Sequence, residues 1–259
     1  MIKIFYFSGT GNSLWSAKKL AQVINQKNPQ ENCSLFNIGA ETQKSEIVIE
    51  ADAVIFVFPS YAYGLPLIVR RFAKSAVFKT PYIASLVTYG SSPCGTLGAL
   101  RRILKKKGIG KLFFGKIPAV ENYLAMFGTP KAQTVQKRVA MQERATIEAA
   151  IAIMERRENK ASAFYPFSAF VSMLFSLGVK IFYKHYKLSA DCSGCGVCEK
   201  LCPVSAIVMK DGKPVFTSKC EHCQGCVNMC PLRAISFGRV KFGTPGYHHP
   251  EIAIGDLTR

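Results

Sequence analysis

Acidic side chains are scarce in this chain of 259 residues: 16 Asp and Glu stand against 34 Lys and Arg, a formal net charge of +18. Glycine (20) and proline (13) are too few for a collagen-type repeat, and 49% apolar content excludes disorder. A globular chain remains, long enough for one large domain or two modest ones. The start, Met-Ile-Lys-Ile-Phe-Tyr-Phe, lacks the apolar h-region and cleavage site of a secretory signal. It reads as a first strand, and the expected location is cytoplasmic. No helix-turn-helix, zinc-finger or RNP pattern accompanies the basic surplus, so no nucleic acid is expected as a partner. No Ser-His-Asp order or paired carboxylates support hydrolysis.

Cysteine is nearly absent outside one stretch. Eight of the ten lie between Cys192 and Cys230, leaving only Cys33 and Cys94 elsewhere, both read as packing residues. In a reducing compartment such a cluster points to metal ligation before disulfides. Cys192, Cys195, Cys198 and Cys202-Pro203 repeat as Cys220, Cys223, Cys226 and Cys230-Pro231, a displacement of 28 residues that also aligns Ala206-Ile207 with Ala234-Ile235. This is bacterial-ferredoxin spacing, in which three thiolates of a run hold one cubane and the fourth reaches the other. The expected ligand sets are Cys192, Cys195, Cys198 and Cys230 for one 4Fe-4S cluster, and Cys220, Cys223, Cys226 and Cys202 for a second. Gly194, Gly196 and Gly225 would allow tight turns around sulfur. Structural zinc and disulfides are the competing readings, and zinc prefers two pairs split by a longer loop.

Before residue 161 the pattern changes. Apolar, β-branched or aromatic runs at 2–7, 53–58, 82–88 and 112–120, with a short strand over 33–38, suit a parallel sheet buried on both faces. Helical spacing separates them: Leu14, Ala17, Ala21 and Ile24; Leu67 to Ala76; Leu97, Leu100 and Leu104 before a Lys105-Lys106-Lys107-Gly108 stop. A last helix is expected within 133–160. The alternation predicts an α/β fold with a doubly wound parallel sheet. After the first strand, Ser8-Gly9-Thr10-Gly11-Asn12-Ser13 opens a helix, and its hydroxyls, glycines and helix N-terminus suit a phosphate. The loop lacks both the Gly-Lys-Ser/Thr of a nucleotide P-loop and the third glycine of a dinucleotide fingerprint.

This loop resembles the FMN-phosphate motif of flavodoxins, a likeness that implies phosphate contacts at Ser8 through Ser13. Two further loops fall where flavodoxins enclose the flavin ring: Phe58-Pro59-Ser60-Tyr61-Ala62-Tyr63-Gly64 and Thr88-Tyr89-Gly90-Ser91-Ser92. The resemblance implies ring contacts at Pro59, Ser60, Tyr61, Tyr63, Gly64, Thr88, Tyr89 and Gly90, with Tyr61, Tyr63 and Tyr89 as stacking candidates. The whole order looks like the flavodoxin–ferredoxin fusions of anaerobic bacteria and archaea, the EFR-type ferredoxins, including Glu121 to Phe127 and Tyr247-His248-His249-Pro250.

The expected organisation is a flavodoxin-like unit over 1–160, an aromatic linker over 161–188, a small α+β ferredoxin-like unit with two iron-sulfur clusters over 189–240, and a tail over 241–259. Residues 161–179 carry no charge. A membrane span and an interfacial segment compete there with the linker, but Pro166, Gly178, Ser162, Ser168, Ser172 and Ser176 weigh against a span. His248 and His249 read as a surface turn, Trp15 as packing. FMN with two clusters implies an electron-transfer protein. The alternatives are a flavin-dependent reductase of a small substrate fed by the clusters, and an iron-sulfur redox sensor with a basic surface. The basic surplus, 26 basic to 10 acidic residues before residue 189, points to an acidic redox-partner protein or peripheral membrane contact. Oligomeric state stays open.

Overall fold

The structure, a computed structural model, describes residues 1–161 and 166–258. Its first part runs β1 (Ile2–Tyr6), α1 (Asn12–Lys27), β2 (Cys33–Asn37), α2 (Ile38–Glu41), β3 (Val48–Glu50), β4 (Ala53–Pro59), α3 (Leu67–Ser75), β5 (Val77–Lys79), β6 (Tyr82–Tyr89), α4 (Thr96–Lys106) and β7 (Lys111–Pro118). Five strands form one parallel sheet in the order β2-β1-β4-β6-β7. With β3 and β5 set aside as a separate parallel pair, this is the 2-1-3-4-5 order of the flavodoxin-type doubly wound fold. Such a sheet reverses its winding between β1 and β4, and the loops at the carboxyl ends of those strands frame a crevice. The Ser8–Ser13 loop leaves β1 there.

Strand alternation divides the core. Phe5, Val54, Phe56 and Phe58 face one side and meet Val69 and Phe72 of α3 and Leu97, Leu100 and Leu104 of α4. Ile2, Ile4, Ile55 and Val57 face the other and meet Ala17, Leu20 and Ile24 of α1 and Ala150 and Ile153 of a long helix that follows β7. The first face is unusually aromatic, with Phe72 lying 5.0 Å from Phe5 and 5.8 Å from Phe56 by ring centroids.

After β7 come the single turn α5 (Leu124–Phe127) and α6 (Ala132–Met154), the expected last covering helix. The segment read as a linker is instead helix α7 (Pro166–Phe182) followed by a 3-10 turn, Tyr183–His185; residues 162–165, including Ser162, lie outside the described residues. The remaining elements are β8 (Tyr186–Leu188), α8 (Val197–Leu201), β9 (Ile207–Lys210), β10 (Lys213–Phe216), α9 (Gly225–Asn228), β11 (Ile235–Phe237) and α10 (Ile254–Leu257). β8 pairs antiparallel with β11, so the small unit begins inside the stretch assigned to the linker. β9 pairs with β10. The 28-residue repeat extends to the backbone: α8 corresponds to α9 and β9 to β11, and the left-handed residues Gly194, Gly196 and Ser205 correspond to His222, Gln224 and Arg233. The segment expected as a tail folds back onto α1, burying Tyr247, His249, Ile252 and Leu257.

Because Phe72 is fully buried between three aromatic rings, Phe72→Ala should lower unfolding free energy by about 3–5 kcal/mol, measured by urea titration.

Candidate metal centres and phosphate loop

The eight clustered cysteines gather in two neighbouring groups, with Cys198 and Cys226 facing each other across the divide. Cys192, Cys195, Cys198 and Cys230 rim one small cavity, with Gly194, Gly196 and Pro231 between them. Cys220, Cys223 and Cys226 are electrostatic neighbours of one another and of Cys202. Among the described residues no three His, Cys, Asp or Glu side chains converge on a single-ion point. Backbone amides are already aimed at sulfur in matching positions: Ala206 N–H donates to Cys202 Sγ at 3.1 Å and Ala234 N–H to Cys230 Sγ at 3.3 Å. Burial holds the Cys198 and Cys220 thiols up at about 11 and pushes Cys223 and Cys226 higher still. Metal loading must therefore displace protons from these thiols.

The two sets differ in surroundings. Cys195 is exposed and Cys192 half-buried, so the first set opens toward solvent. The second set is pressed against the first domain. A Cβ on Gly9 would lie 2.5 Å from the Cys223 carbonyl oxygen, and one on Gly225 would lie 2.7 Å from the Gly9 carbonyl oxygen. Gly225 thus serves close backbone approach, not the turn expected for it, while Gly194 and Gly196 do take left-handed turns. Beside this contact Arg71 of α3 meets Glu221 at 3.0 Å. Burial raises the Glu221 carboxyl, opposed by the first amides of α3 and by Arg71. His222 closes the other side, its Nε2 3.2 Å from Tyr123 Oη and its Nδ1 3.0 Å from Tyr186 Oη.

The Ser8–Ser13 loop is held by hydrogen bonds that leave its hydroxyl protons available. Gly11 N–H donates to Ser8 Oγ at 3.1 Å, and Asn122 Nδ2 donates to Thr10 Oγ1 at 2.7 Å. Both hydroxyls act as acceptors, so each keeps a proton to donate. Ser13 Oγ and Thr88 Oγ1 share one hydrogen bond at 2.8 Å, leaving a third. Asn12 is committed to structure instead, donating to the Val120 carbonyl and accepting from Tyr247 Oη. Gly11, at φ +95°, turns its Cα toward His249 and Ile252. From α6, Gln142 donates to the Asn12 carbonyl at 2.8 Å.

Ser8, Gly9, Thr10, Asn12, Ser13, Pro59, Ser60, Tyr61, Thr88, Tyr89 and Gly90 line one slot of about 40 Å³. Hydroxyl donors at a helix N-terminus suit a phosphate in chemistry and scale. A pocket enclosing a whole cofactor is several-fold larger, on the order of 300 Å³ or more. Tyr63 and Gly64 are not brought to the slot. Ala62 and Tyr63 both take positive φ between the paired backbones of Tyr61 and Gly64, and this tight turn carries Tyr63 into a groove beside α7. Ala119, Val120, Glu121 and Asn122 complete the slot; from sequence, Glu121 and Asn122 entered only as part of the family pattern and none of the four had a place in the site. Their place just after β7, at the carboxyl edge of the sheet, was the available signal. Tyr61 Oη is buried without a partner, and burial pushes its pKa well up.

The last segment braces the loop from behind. His249 N–H donates to the Thr10 carbonyl at 2.8 Å, and its ring stacks on Trp15 at 4.8 Å. The surface turn expected at His248-His249 is thus only half right: His249 is wholly buried. Trp15 packs as expected and donates to Glu251 at 3.0 Å.

Residues 191–235 match the family model for the 4Fe-4S dicluster domain. No curated protein matches the chain. Among solved structures, an azoreductase from Bacillus anthracis str. Sterne is 10% identical over 61% of this chain and 100% of that one, with a TM-score of 0.39. A flavodoxin from the domain Archaea is 15% identical over 59% and 98%, TM-score 0.36. The Megasphaera elsdenii flavodoxin is 14% identical over 57% and 99%, TM-score 0.33. The strand order carries the assignment of the first unit. The chain joins a flavodoxin-type sheet to a 4Fe-4S domain, the arrangement of the flavodoxin–ferredoxin fusions its motifs resemble.

Burial lowers the pKa of His249, and of His222, to about 4, with Glu251 raising and His248 lowering the former slightly. In the unfolded chain both take a proton near 6.5. Unfolding therefore takes up protons below pH 6.5, so stability is complete above that value and falls as pH drops toward 4. His249→Phe, which keeps the stack on Trp15, should make urea stability fall less steeply than wild type across this window.

Proposed function

We propose that this protein is an electron carrier holding FMN and two 4Fe-4S clusters in one chain, with the cluster of the second cysteine set nearer the flavin. The contact of the Cys223 backbone with Gly9 carries this reading, because it seats the second set directly on the phosphate loop. Ser8, Thr10 and the Ser13–Thr88 pair would hold the FMN phosphate through their remaining hydroxyl protons. Tyr61 and Tyr89, on the two loops that line the slot, would flank the ring; both loops must part to admit it. Cys192, Cys195, Cys198 and Cys230 would hold the outer cluster and Cys220, Cys223, Cys226 and Cys202 the inner one.

Bound FMN exchanges one or two electrons and each cluster one, so two clusters match one fully reduced flavin. The chain's contribution is placement. Phe182 and Phe237 pack on His222 and, with Tyr186, surround the second set with apolar rings. Exposed Cys195 leaves the first set as the port for a soluble redox partner. Joining the units in one chain replaces diffusional encounter by a fixed contact.

Anoxic reconstitution with iron, sulfide and FMN should yield about eight irons and one flavin per chain. Iron without flavin would overturn the proposed first unit. Ser8→Ala with Thr10→Val should weaken FMN binding by about tenfold or more at unchanged iron content, since hydrogen bonds to a charged group are lost. Paired variants test the crossing. Cys202→Ser with Cys223→Ser should remove about four irons, whereas Cys202→Ser with Cys195→Ser should remove about eight. The reverse pattern would show that each run holds its own cluster.

A further inference from the structure

Helix α7 is two-faced. Ser168, Ser172 and Val179 are buried, Ser172 pressing over Gly64 and the Phe182 ring lying 5.0 Å from His222 of the small unit. The helix therefore lies flat across both domains. On the opposite face Phe167, Phe170, Met173, Leu174, Leu177 and Ile181 are each between 50 and 75% exposed. Phe167, Phe170, Leu174, Leu177 and Ile181 are spaced by three and four residues and Met173 flanks them, which keeps all six on one stripe along the helix. An exposed apolar stripe of this length marks a docking surface.

What covers it is indicated by charge. A groove of about 320 Å³ lies between α7 and the first domain and reaches the edge of the stripe at Met173 and Leu177, and Arg70, Arg102 and Lys180 line it. No acidic residue lines this groove among the described residues. Lys184 follows one turn beyond, also exposed. Apolar side chains beside a row of cations match acyl chains beneath phosphate head groups. A second copy of the chain, brought in by a twofold axis, would set the same cations against each other. Although the helix from Pro166 to His185 is long and apolar enough to cross a bilayer, its buried face is already occupied by protein.

We propose that α7 docks the protein peripherally on an anionic lipid bilayer, with the apolar stripe in the interfacial layer and Arg70 and Lys180 at the phosphates. This surface is independent of whether the slot takes a flavin.

Flotation of the full chain with vesicles of phosphatidylcholine containing about 30% phosphatidylglycerol tests it. Binding is expected on these vesicles, more than about tenfold weaker on phosphatidylcholine alone, and largely lost in ~0.5 M salt. Leu174→Glu with Leu177→Glu, and separately Arg70→Gln with Lys180→Gln, should each lower bound protein by about tenfold or more. Far-ultraviolet circular dichroism and Trp15 fluorescence should stay unchanged in both variants, since Leu174, Leu177 and Lys180 are exposed and Arg70 is only half-buried. Three results would overturn the proposal. Absence of vesicle binding is the first. Equal binding to neutral vesicles that resists salt and an alkaline wash would indicate a span. Lipid-free dimers dissolved by Leu174→Glu with Leu177→Glu, without vesicle binding, would assign the stripe to a second copy.

Discussion

The contact on which the rest of this structure depends is backbone against backbone, where Gly9 of the phosphate loop meets Cys223 and Gly225 of the second cysteine run. Any side chain at these glycines would push the two domains apart. Because the contact has no side-chain thickness, the loop and the cysteine set share one wall. That wall makes the Ser8–Ser13 loop and the second cysteine set direct neighbours. Each also inherits the other's desolvation: burial raises the second-set thiols and the Tyr61 hydroxyl alike.

Two short segments secure this wall from opposite sides. After β7, Asn122 donates to Thr10 and its own carbonyl accepts from Asn228, while Tyr123 reaches His222. Near the C-terminus, Tyr247 donates to Asn12, its N–H donates to Asn228, and His249 holds the Thr10 carbonyl. Asn228 is thus a common partner of both. The polar groups of Thr10 and Asn12 are satisfied by residues more than a hundred positions away, so the loop's shape is a tertiary property.

Much of the fold was legible because its causes are local. Runs such as Ala53 to Phe58 announce a strand buried on both faces, and Leu97, Leu100 and Leu104 announce the face of α4. The cysteine spacing was legible for the same reason, since ligand geometry demands short fixed separations. The errors fall where burial is set by a distant partner. His249 looks like a surface residue until the stack on Trp15 and the Thr10 carbonyl are known. Tyr63 leaves the slot because two positive-φ residues turn the loop, a conformation unmarked by any glycine at those positions. The uncharged run after Lys160 reads as a linker because its serines and glycine obscure a helix whose seat is built from two domains.

The 28-residue repeat ends in unequal halves. At the left-handed positions the solvent-facing half carries Gly194 and Gly196, and the half against the sheet carries His222 and Gln224. His222 takes φ +56° in exchange for Tyr123, Tyr186 and a ring of phenylalanines, and Gln224 donates to Tyr186 at 3.0 Å. The unit thus reads as a duplicated half-domain in which one copy has become entrenched. Of the groups around His222, Tyr123 and Phe182 come from outside the small unit, whereas Tyr186 and Phe237 belong to it. The two halves are therefore not interchangeable: a histidine at the Gly194 position would lack the Tyr123 and Phe182 partners that hold His222.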